Sequence, residues 1–337
     1  MSSVIAAKSA SYVAGLDTLK EDDRLRGIMP RIGTDFSSSD YLALASARMK
    51  KSILTALEAG TPVGAGGSRL LRGNCEEHEC LEAEAAPFFG AQTALFFGGG
   101  YFASLPVLTM LPQRRDLLVL ESLVHASPHE GARAGRAAFR ICAHKDPLAI
   151  ESEIRDWRAA GGAGQVWIVV ESLYSMHSDL APLEDLLTIA DRHDAFLVVG
   201  EVHASGVCSE QGRGLTAPYE GRENLLVVHR CGKALGAVGA LVTASGVLRD
   251  FLIKCCCPFI FADRPFAVNG VGRTGGSVDP GEGGGAPTAP GEACRVHASG
   301  DGCARRGESF ELADPALFRC RECPRHEASL RATRSRI

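Results

Sequence analysis

The stretch QVWIVVESLYSMHSDLAPLEDLLTIADRHDAFLVVG, residues 165–200, contains the pattern that decides the fold. It begins with an apolar run at 165–172, which is typical of a parallel strand buried on both faces. Residues 182–194 then form a helical pattern with a proline near its start. A second apolar run follows at 195–200. Strand, helix and strand in this order predict an α/β domain with a mostly parallel sheet.

The same alternation continues through residues 46–262. We predict further helices at 77–89 and 147–161, a strand at 116–122, and a strand at 93–103 that runs into glycines. In open parallel sheets, ligands bind beyond the carboxyl ends of the strands. One crevice should therefore be formed by Gly98–Tyr101, Ser122–Ser127, Ser172–Ser175 and Gly200–His203.

Composition narrows the class of protein. The 337 residues include 45% hydrophobic and 23% charged residues, which is ordinary for a globular protein, and the net charge is −4. This balance gives no reason to expect nucleic acid or a membrane as partner. No apolar run approaches the roughly 20 residues of a membrane span, and the N-terminus lacks a secretory apolar region, so we expect a cytoplasmic protein. The 12 cysteines then favour free thiols over disulfides.

Three regions differ in character. Residues 1–45 form an N-terminal arm, residues 46–262 carry the α/β pattern, and residues 263–337 are rich in glycine, proline and arginine without apolar periodicity. We predict that this last segment is mostly disordered, because it cannot bury enough apolar surface to offset its ordering entropy. Cys320 and Cys323 have a zinc-ligand spacing, so a zinc-binding interaction module is a rival interpretation of the tail.

Several residues at the predicted strand ends could carry chemistry. Lys233 lies among glycines after a strand, where a lowered pKa would suit Schiff-base formation, although most loop lysines simply face water. His125 could stack on a planar cofactor or be an ordinary hydrogen-bonded loop histidine. The glycines at 98–100 could offer backbone N–H groups to a phosphate, or merely form a turn. Ser175 and His203 complete the set, and their shared position at strand ends favours a site.

Ten ordered motifs make the chain recognisable. They are DFSSSDYLALA (35–45), GAGGSRLLRGNCEEHECLE (64–82), LFFGGGYFA (95–103), HASPHEG (125–131), HKDP (144–147), ESLYSMHSDLAPL (171–183), EVHASGV (201–207), GRG (212–214), GKALG (232–236) and FIFA (259–262). With these motifs the chain resembles the α-oxoamine synthases, which are pyridoxal-phosphate (PLP) enzymes of the fold type I aminotransferase superfamily. The resemblance implies the large PLP-binding domain of that fold over residues 46–262.

The resemblance also implies roles for matching positions. Lys233 would form the Schiff base with PLP, and His125 would stack on the pyridine ring beside the substrate. Gly100 and Tyr101 would contact the cofactor through backbone and ring. Two further positions, Ser175 and His203, would hydrogen-bond PLP, and Arg26 aligns with a basic residue that approaches the acyl substrate.

The implied reaction is a decarboxylative condensation. Within the family the motifs most resemble the members that join L-alanine to a pimeloyl thioester, of a carrier protein or coenzyme A, in biotin biosynthesis. Sister synthases that use glycine or serine are the nearest alternative, since acceptor specificity depends on few residues. Family members are homodimers with the active site at the subunit interface, so a homodimer is expected here.

One departure from the family concerns the cofactor ring. The family has an aspartate where this chain has Gly200, and that acid pairs with the protonated pyridine nitrogen. Neighbouring residues of a strand point to opposite faces, so Glu201 should face away from the ring. Because the ring would lack its acid, we predict that the activation free energy of the carbanion step rises by an amount on the order of the several kcal/mol that preorganised electrostatics supplies. An inactive remnant that retains the PLP fold is the corresponding alternative.

Other departures lie nearby. Arg230 replaces a threonine bonded to the phosphate, and arginine could either clamp a phosphate or fill its binding cup. His177 and Ser178 replace an Asp-Gly turn, which predicts strain where positive φ is needed. Lys145 replaces an asparagine. The family also continues past residue 262 into a C-terminal small domain, which nothing in the remaining sequence resembles.

Overall fold

The computed structural model of the protein describes residues 2–30, 32–44 and 47–266. The chain divides into two compact units, one from Met1 to Ser38 and one that begins at Ser39. In the first unit, helix α1 spans Ser2–Glu21, and most of its described side chains are exposed. The domain boundaries expected from the sequence stay predictions.

The second unit alternates helices and strands. Its helices are α2 (Ala47–Glu58), α3 (Glu76–Phe89), α4 (Gly100–Met110), α5 (Ala126–Ala134), α6 (Pro147–Ala159), α7 (Leu183–Arg192), α8 (Gly246–Cys255) and α9 (Cys257–Ile260). Its strands are β1 (Thr93–Phe97), β2 (Leu117–Glu121), β3 (Ala138–Cys142), β4 (Val166–Glu171), β5 (Ala195–Gly200), β6 (Leu225–Arg230) and β7 (Ala240–Ala244). The helices and strands predicted at 77–89, 116–122, 147–161 and 165–200 are therefore confirmed. The strand expected at 93–103 is too long, because it ends at Phe97 and helix α4 begins at Gly100.

Within the described residues the strands form one sheet in the order β1-β7-β6-β5-β4-β2-β3. Strand β7 is antiparallel to both of its neighbours, and all other pairs are parallel. This confirms the predicted α/β class with a mostly parallel sheet. The carboxyl ends of β1, β2, β4, β5 and β6 consequently meet at one edge.

Burial on both faces explains the continuous apolar strands. One face packs against α4 and α8 through residues such as Leu108 and Leu252. The other face packs against α6 and α7 through residues such as Ile154 and Leu186. Helix α6 begins where the Asp146 side chain accepts a hydrogen bond from Ala149 N at 2.9 Å, with proline in its first turn. The sheet therefore lies between two helical layers, and its carboxyl edge is fixed by this packing.

The last described residues contact α3 and the segment that precedes it. Arg264 is buried and donates its backbone N–H to Gly67 O at 3.1 Å, and Pro265 O lies 3.0 Å from Nε2 of His78. The remainder of the predicted tail, with Cys320 and Cys323, lies outside the described residues. Among the residues that are described, no three His, Cys, Asp or Glu side chains are grouped so as to hold a metal ion. Nor does any helix in this part of the chain have the length and apolarity to cross a membrane.

Candidate active site

A pocket lies at the carboxyl edge of the sheet, where the sequence predicted the crevice. It contains about 460 Å³ of space between atoms, part of which is open to solvent. Its walls come from α4, the start of α5 and the ends of β4, β5 and β6. The lining residues include Gly100, His125, Glu171, Gly200, Val202 and Arg230. Four of the predicted site residues therefore share this pocket.

Lys233 and His203 lie together at this edge. Lys233 follows β6 and His203 follows β5, so the parallel pairing of these strands brings the two loops side by side. The Nζ of Lys233 lies 3.2 Å from Nε2 of His203. The other ring nitrogen, Nδ1, lies 2.7 Å from Oη of Tyr41. His203 is thus fixed between a tyrosine hydroxyl and the lysine amine.

Electrostatics favour neutral bases in this cluster. Burial and, after it, the positive charges of Lys233 and Arg230 together lower the pKa of His203 to about 4. Burial and the same two charges also lower the pKa of His125. The pKa of Lys233 is itself lowered, first by burial and then by Arg230. A lysine with a lowered pKa has a larger neutral fraction, which is the form that attacks an aldehyde or takes up a proton.

Arg230 lies directly against the start of α4. A Cβ added to Gly100 would come within 2.3 Å of Nε of Arg230, so the arginine stem passes across a position where only glycine leaves room. Among the described residues Arg230 makes none of the ion pairs found. The first-turn amides of a helix and a guanidinium are both donors to anions. This corner of the pocket has the chemistry of an anion site.

Glu171 and Gly200 are partners across β4 and β5. The two residues are paired in the parallel register, and both line the pocket. A Cβ added to Gly200 would lie 3.5 Å from Cδ of Glu171. The Glu171 Oε1 accepts a hydrogen bond from His125 N at 3.0 Å, and burial raises its pKa to about 7.

Glu201 occupies the opposite face of β5, as predicted from the strand alternation. Its Oε1 accepts the Thr216 N–H at 2.7 Å, and a Cβ added to Gly214 would come within 2.5 Å of its Oε2. Burial raises the pKa of Glu201 to about 7. Glu201 is therefore enclosed behind the sheet rather than turned toward the pocket.

Five predicted site residues are not among those that line the pocket: Lys233 and His203, described above, and three others. Ser175 is exposed on the loop after β4. Tyr101 lies in the first turn of α4, and its hydroxyl contacts the Glu130 carboxylate of α5. Arg26 is exposed in the N-terminal unit. The roles assigned to these residues by resemblance stay predictions.

The structure adds residues that sequence reasoning missed. His144 bridges the loop after β4 to the sheet, with Nδ1 2.5 Å from Oε1 of Glu121 and Nε2 2.7 Å from Oδ2 of Asp179. Although burial lowers it, the hydrogen bonds of Asp179 and Glu121 raise the pKa of His144 above its ordinary value. Glu171 is a second residue that the sequence reasoning missed, because it was treated only as the end of a strand. A carboxylate that ends an otherwise apolar run was the available signal.

Comparisons with known proteins place this geometry in a family. The family model for aminotransferases of class I and II matches residues 31–268. An 8-amino-7-oxononanoate synthase from Emericella nidulans is 37% identical over 249 residues, which cover 69% of this chain and 60% of that protein. One from Mycobacterium sp. (strain KMS) is 35% identical over 281 residues, which cover 80% of this chain and 72% of that protein. Against the Bacillus licheniformis relative, a putative synthase of the same name, the chain is 38% identical but spans only 59% of that protein's length.

Solved structures agree on the fold. A serine palmitoyltransferase from S. paucimobilis with a bound PLP–myriocin aldimine has a TM-score of 0.68 at 22% identity, covering 79% of this chain and 71% of its own. An 8-amino-7-oxononanoate synthase from Francisella tularensis has a TM-score of 0.57 at 26% identity, covering 71% of this chain and 66% of its own. The chain therefore belongs to the aminotransferase class I and II family, among the relatives of the 8-amino-7-oxononanoate synthases.

Proposed function

We propose that the pocket binds pyridoxal phosphate and that Lys233 is the amine that holds it. The donor set fits this cofactor. Nζ of Lys233 suits the aldehyde, and Arg230 beside the first turn of α4 suits the phosphate. His125 lines the same pocket and suits the ring face. When bound, PLP supplies an electron sink for a carbanion.

The reaction that these residues support best is the condensation of L-alanine with a pimeloyl thioester, of a carrier protein or coenzyme A. A C–C bond forms between Cα of alanine and the thioester carbonyl carbon, while the C–S bond and the bond to the alanine carboxylate break. The products are 8-amino-7-oxononanoate, CO2 and the free thiol. Nζ of Lys233 would remove the Cα proton before the C–C bond forms and return a proton to Cα after CO2 leaves, and neutral His203 at 3.2 Å would keep that amine oriented. This contact is the observation that carries the proposal.

Borohydride reduction of the PLP-loaded protein tests the cofactor assignment, because it should fix one pyridoxyl group on the Lys233 peptide. The reduced protein should then fail to exchange free PLP. Labelling elsewhere, or none, would contradict the assignment. The same preparation should show an alanine-dependent change in the absorbance of the bound cofactor.

Release of CO2 and thiol from alanine with pimeloyl-coenzyme A, or with the pimeloyl carrier protein, tests the reaction. Faster release with glycine or serine would favour a sister synthase. Gly200, at the family's aspartate position, favours a second candidate, a PLP-binding protein without turnover. Cofactor labelling without CO2 release would support that candidate. A homodimer and a cytoplasmic location remain predictions.

A further inference from the structure

We propose that Glu171 supplies the acid that faces the ring nitrogen of PLP in this chain, in the space that Gly200 leaves without a side chain. The inference rests on the proposed function, because it requires PLP in this pocket. Among the described residues that line the pocket, Glu171 carries the only carboxyl group. It is therefore the group available to balance a cationic ring.

The strand pairing places Glu171 where an acid at position 200 would lie. Residues paired in register on parallel strands point to the same face, and Glu171 is paired with Gly200. A Cβ on Gly200 would stand 3.5 Å from Cγ, Cδ and Oε1 of Glu171. The glutamate carboxyl thus already lies at van der Waals distance from the first atom of the side chain that is missing. A glutamate side chain on β4 is long enough to reach the same place in the pocket that an aspartate at position 200 on β5 would reach.

The surroundings hold this carboxyl in place. His125 donates its backbone N–H to Oε1 at 3.0 Å, which fixes one oxygen at the start of α5. Burial raises the pKa of Glu171 to about 7, while the charges of Lys233 and Arg230 act to lower it. A carboxyl of this kind gains from a cationic partner brought into the same pocket. Pairing of an acid with the pyridinium nitrogen is a general way in which proteins tune PLP.

The other nearby glutamate does not have this geometry. Glu201 follows Gly200 directly, yet its side chain lies on the opposite face of the sheet, where it accepts the Thr216 N–H. It could reach the pocket only if the strand bulged, and β5 keeps its regular pairing with β6 as far as Gly200. The compensating acid therefore comes from the adjacent strand rather than the adjacent residue.

The test compares PLP with its deaza analogue, in which carbon replaces the ring nitrogen. The parent chain should bind PLP more tightly than the analogue, by roughly 10- to 100-fold for one buried charge-assisted hydrogen bond. Glu171→Gln keeps the shape of the side chain and should remove this preference. Glu121→Gln is the matched control, since Glu121 is equally buried at the end of neighbouring β2 but does not line the pocket. It should keep the preference.

A double variant guards against simple loss of the pocket. Glu171→Gln combined with Gly200→Asp should regain the preference for PLP, because Cβ contacts at position 200 are ordinary. A preference that survives in Glu171→Gln overturns the proposal. So does its loss in both the single and the double variant, because Glu171 would then act only by shaping the pocket. PLP binding without any preference in the parent chain overturns this inference alone, whereas absence of PLP binding overturns the proposed function with it.

Discussion

Glu171 and Glu201 lie at the ends of neighbouring strands and look alike by most measures. Both are buried, and burial raises the pKa of each to about 7. Their surroundings differ. Glu171 faces a pocket that also contains Arg230 and lies close to Lys233. Glu201 faces an enclosed network on the other side of the sheet. We call these two regions the pocket side and the enclosed side.

The enclosed side is a buried hydrogen-bond network around His229. Fully buried His229 lies 2.8 Å from Oγ of Ser205 and 3.1 Å from Oε1 of Glu220, and its ring stacks on Phe89. Oε2 of Glu201 has no hydrogen-bond partner in the described structure. The comparison teaches that a raised carboxyl pKa does not by itself locate a site. Access to a pocket and the presence of cations decide which glutamate serves chemistry.

Loss of Lys233 should have the largest effect and should be confined to the pocket side. Lys233→Ala should lower the rate of CO2 release by roughly 10³-fold, because the general base is removed, and abolish the borohydride-stable adduct. Lys254→Ala removes an exposed lysine of α8 and should change neither. A stable adduct in Lys233→Ala would show that another amine holds the cofactor. Mass spectrometry of the reduced protein checks both variants.

Loss of Glu220 should have the largest effect on the enclosed side, and it should act on stability. The Glu220 carboxylate lies 3.1 Å from hydrogen-bonding atoms of His229, Thr216 and Thr243, and Glu220→Leu removes all three of these contacts. The free energy of unfolding in urea should fall by about 4 kcal/mol. PLP affinity of the folded fraction should not change. Glu223→Leu, at an exposed site in the same segment, should stay within about 0.5 kcal/mol. Equal losses in both variants would contradict a specific role for the network.

Glu201 should make the cofactor-free protein less stable as pH rises. Its folded pKa, about 7, is above its ordinary value of 4.5, so the unfolded chain releases its proton first. The contribution of this group to stability should be fully present below about pH 4.5 and should be lost as pH rises to about 7, a change of about 3 kcal/mol. Glu201→Gln should flatten that part of the urea-unfolding profile whether or not PLP is present. An unchanged slope would mean that Glu201 ionises without cost.

The fold was predictable because its signal is local and repeated. The apolar runs at 165–172 and 195–200 and the helical pattern between them have lengths and compositions that leave little choice of structure. The overlong strand at 93–103 was the exception: β1 ends at Phe97 before the glycines, and α4 begins at the last of them, Gly100.

The site was predictable only in part. Strand ends could be aligned from the sequence, so the position of Lys233, His203 and His125 at one edge of the sheet was predictable. The pairing of Glu171 with Gly200 depends on which strands are neighbours and in which register, and β4 and β5 could have been separated by another strand. The Tyr41 contact to His203 spans 162 residues and has no local signal. Such contacts follow from topology, which spacing along the chain does not encode.

The comparison of the two sides can be sharpened with their arginines. Arg230 lies in the pocket, whereas Arg213 donates to Phe89 O at 2.8 Å on the enclosed side. Arg230→Ala should weaken PLP binding by roughly 10- to 100-fold, because it removes a charge-assisted hydrogen bond to phosphate, and should leave the affinity for pyridoxal unchanged. Arg213→Ala should preserve the ratio of the two affinities. Tighter PLP binding in Arg230→Ala would show instead that the arginine fills the phosphate cup.

The smallest expected effect lies in the backbone of the loop that follows Glu171. Ser178 has a φ of 55°, which is the positive value from which strain in this turn was predicted. Lys145 has a φ of 54°. A residue with a side chain is disfavoured in this region, so Ser178→Gly should raise the free energy of unfolding by about 1 kcal/mol. Ser175→Gly in the same loop, where φ is not positive, should lower it slightly because the unfolded chain gains freedom. Urea unfolding of the cofactor-free protein measures both. If the two substitutions shift stability in the same direction, the turn is not strained.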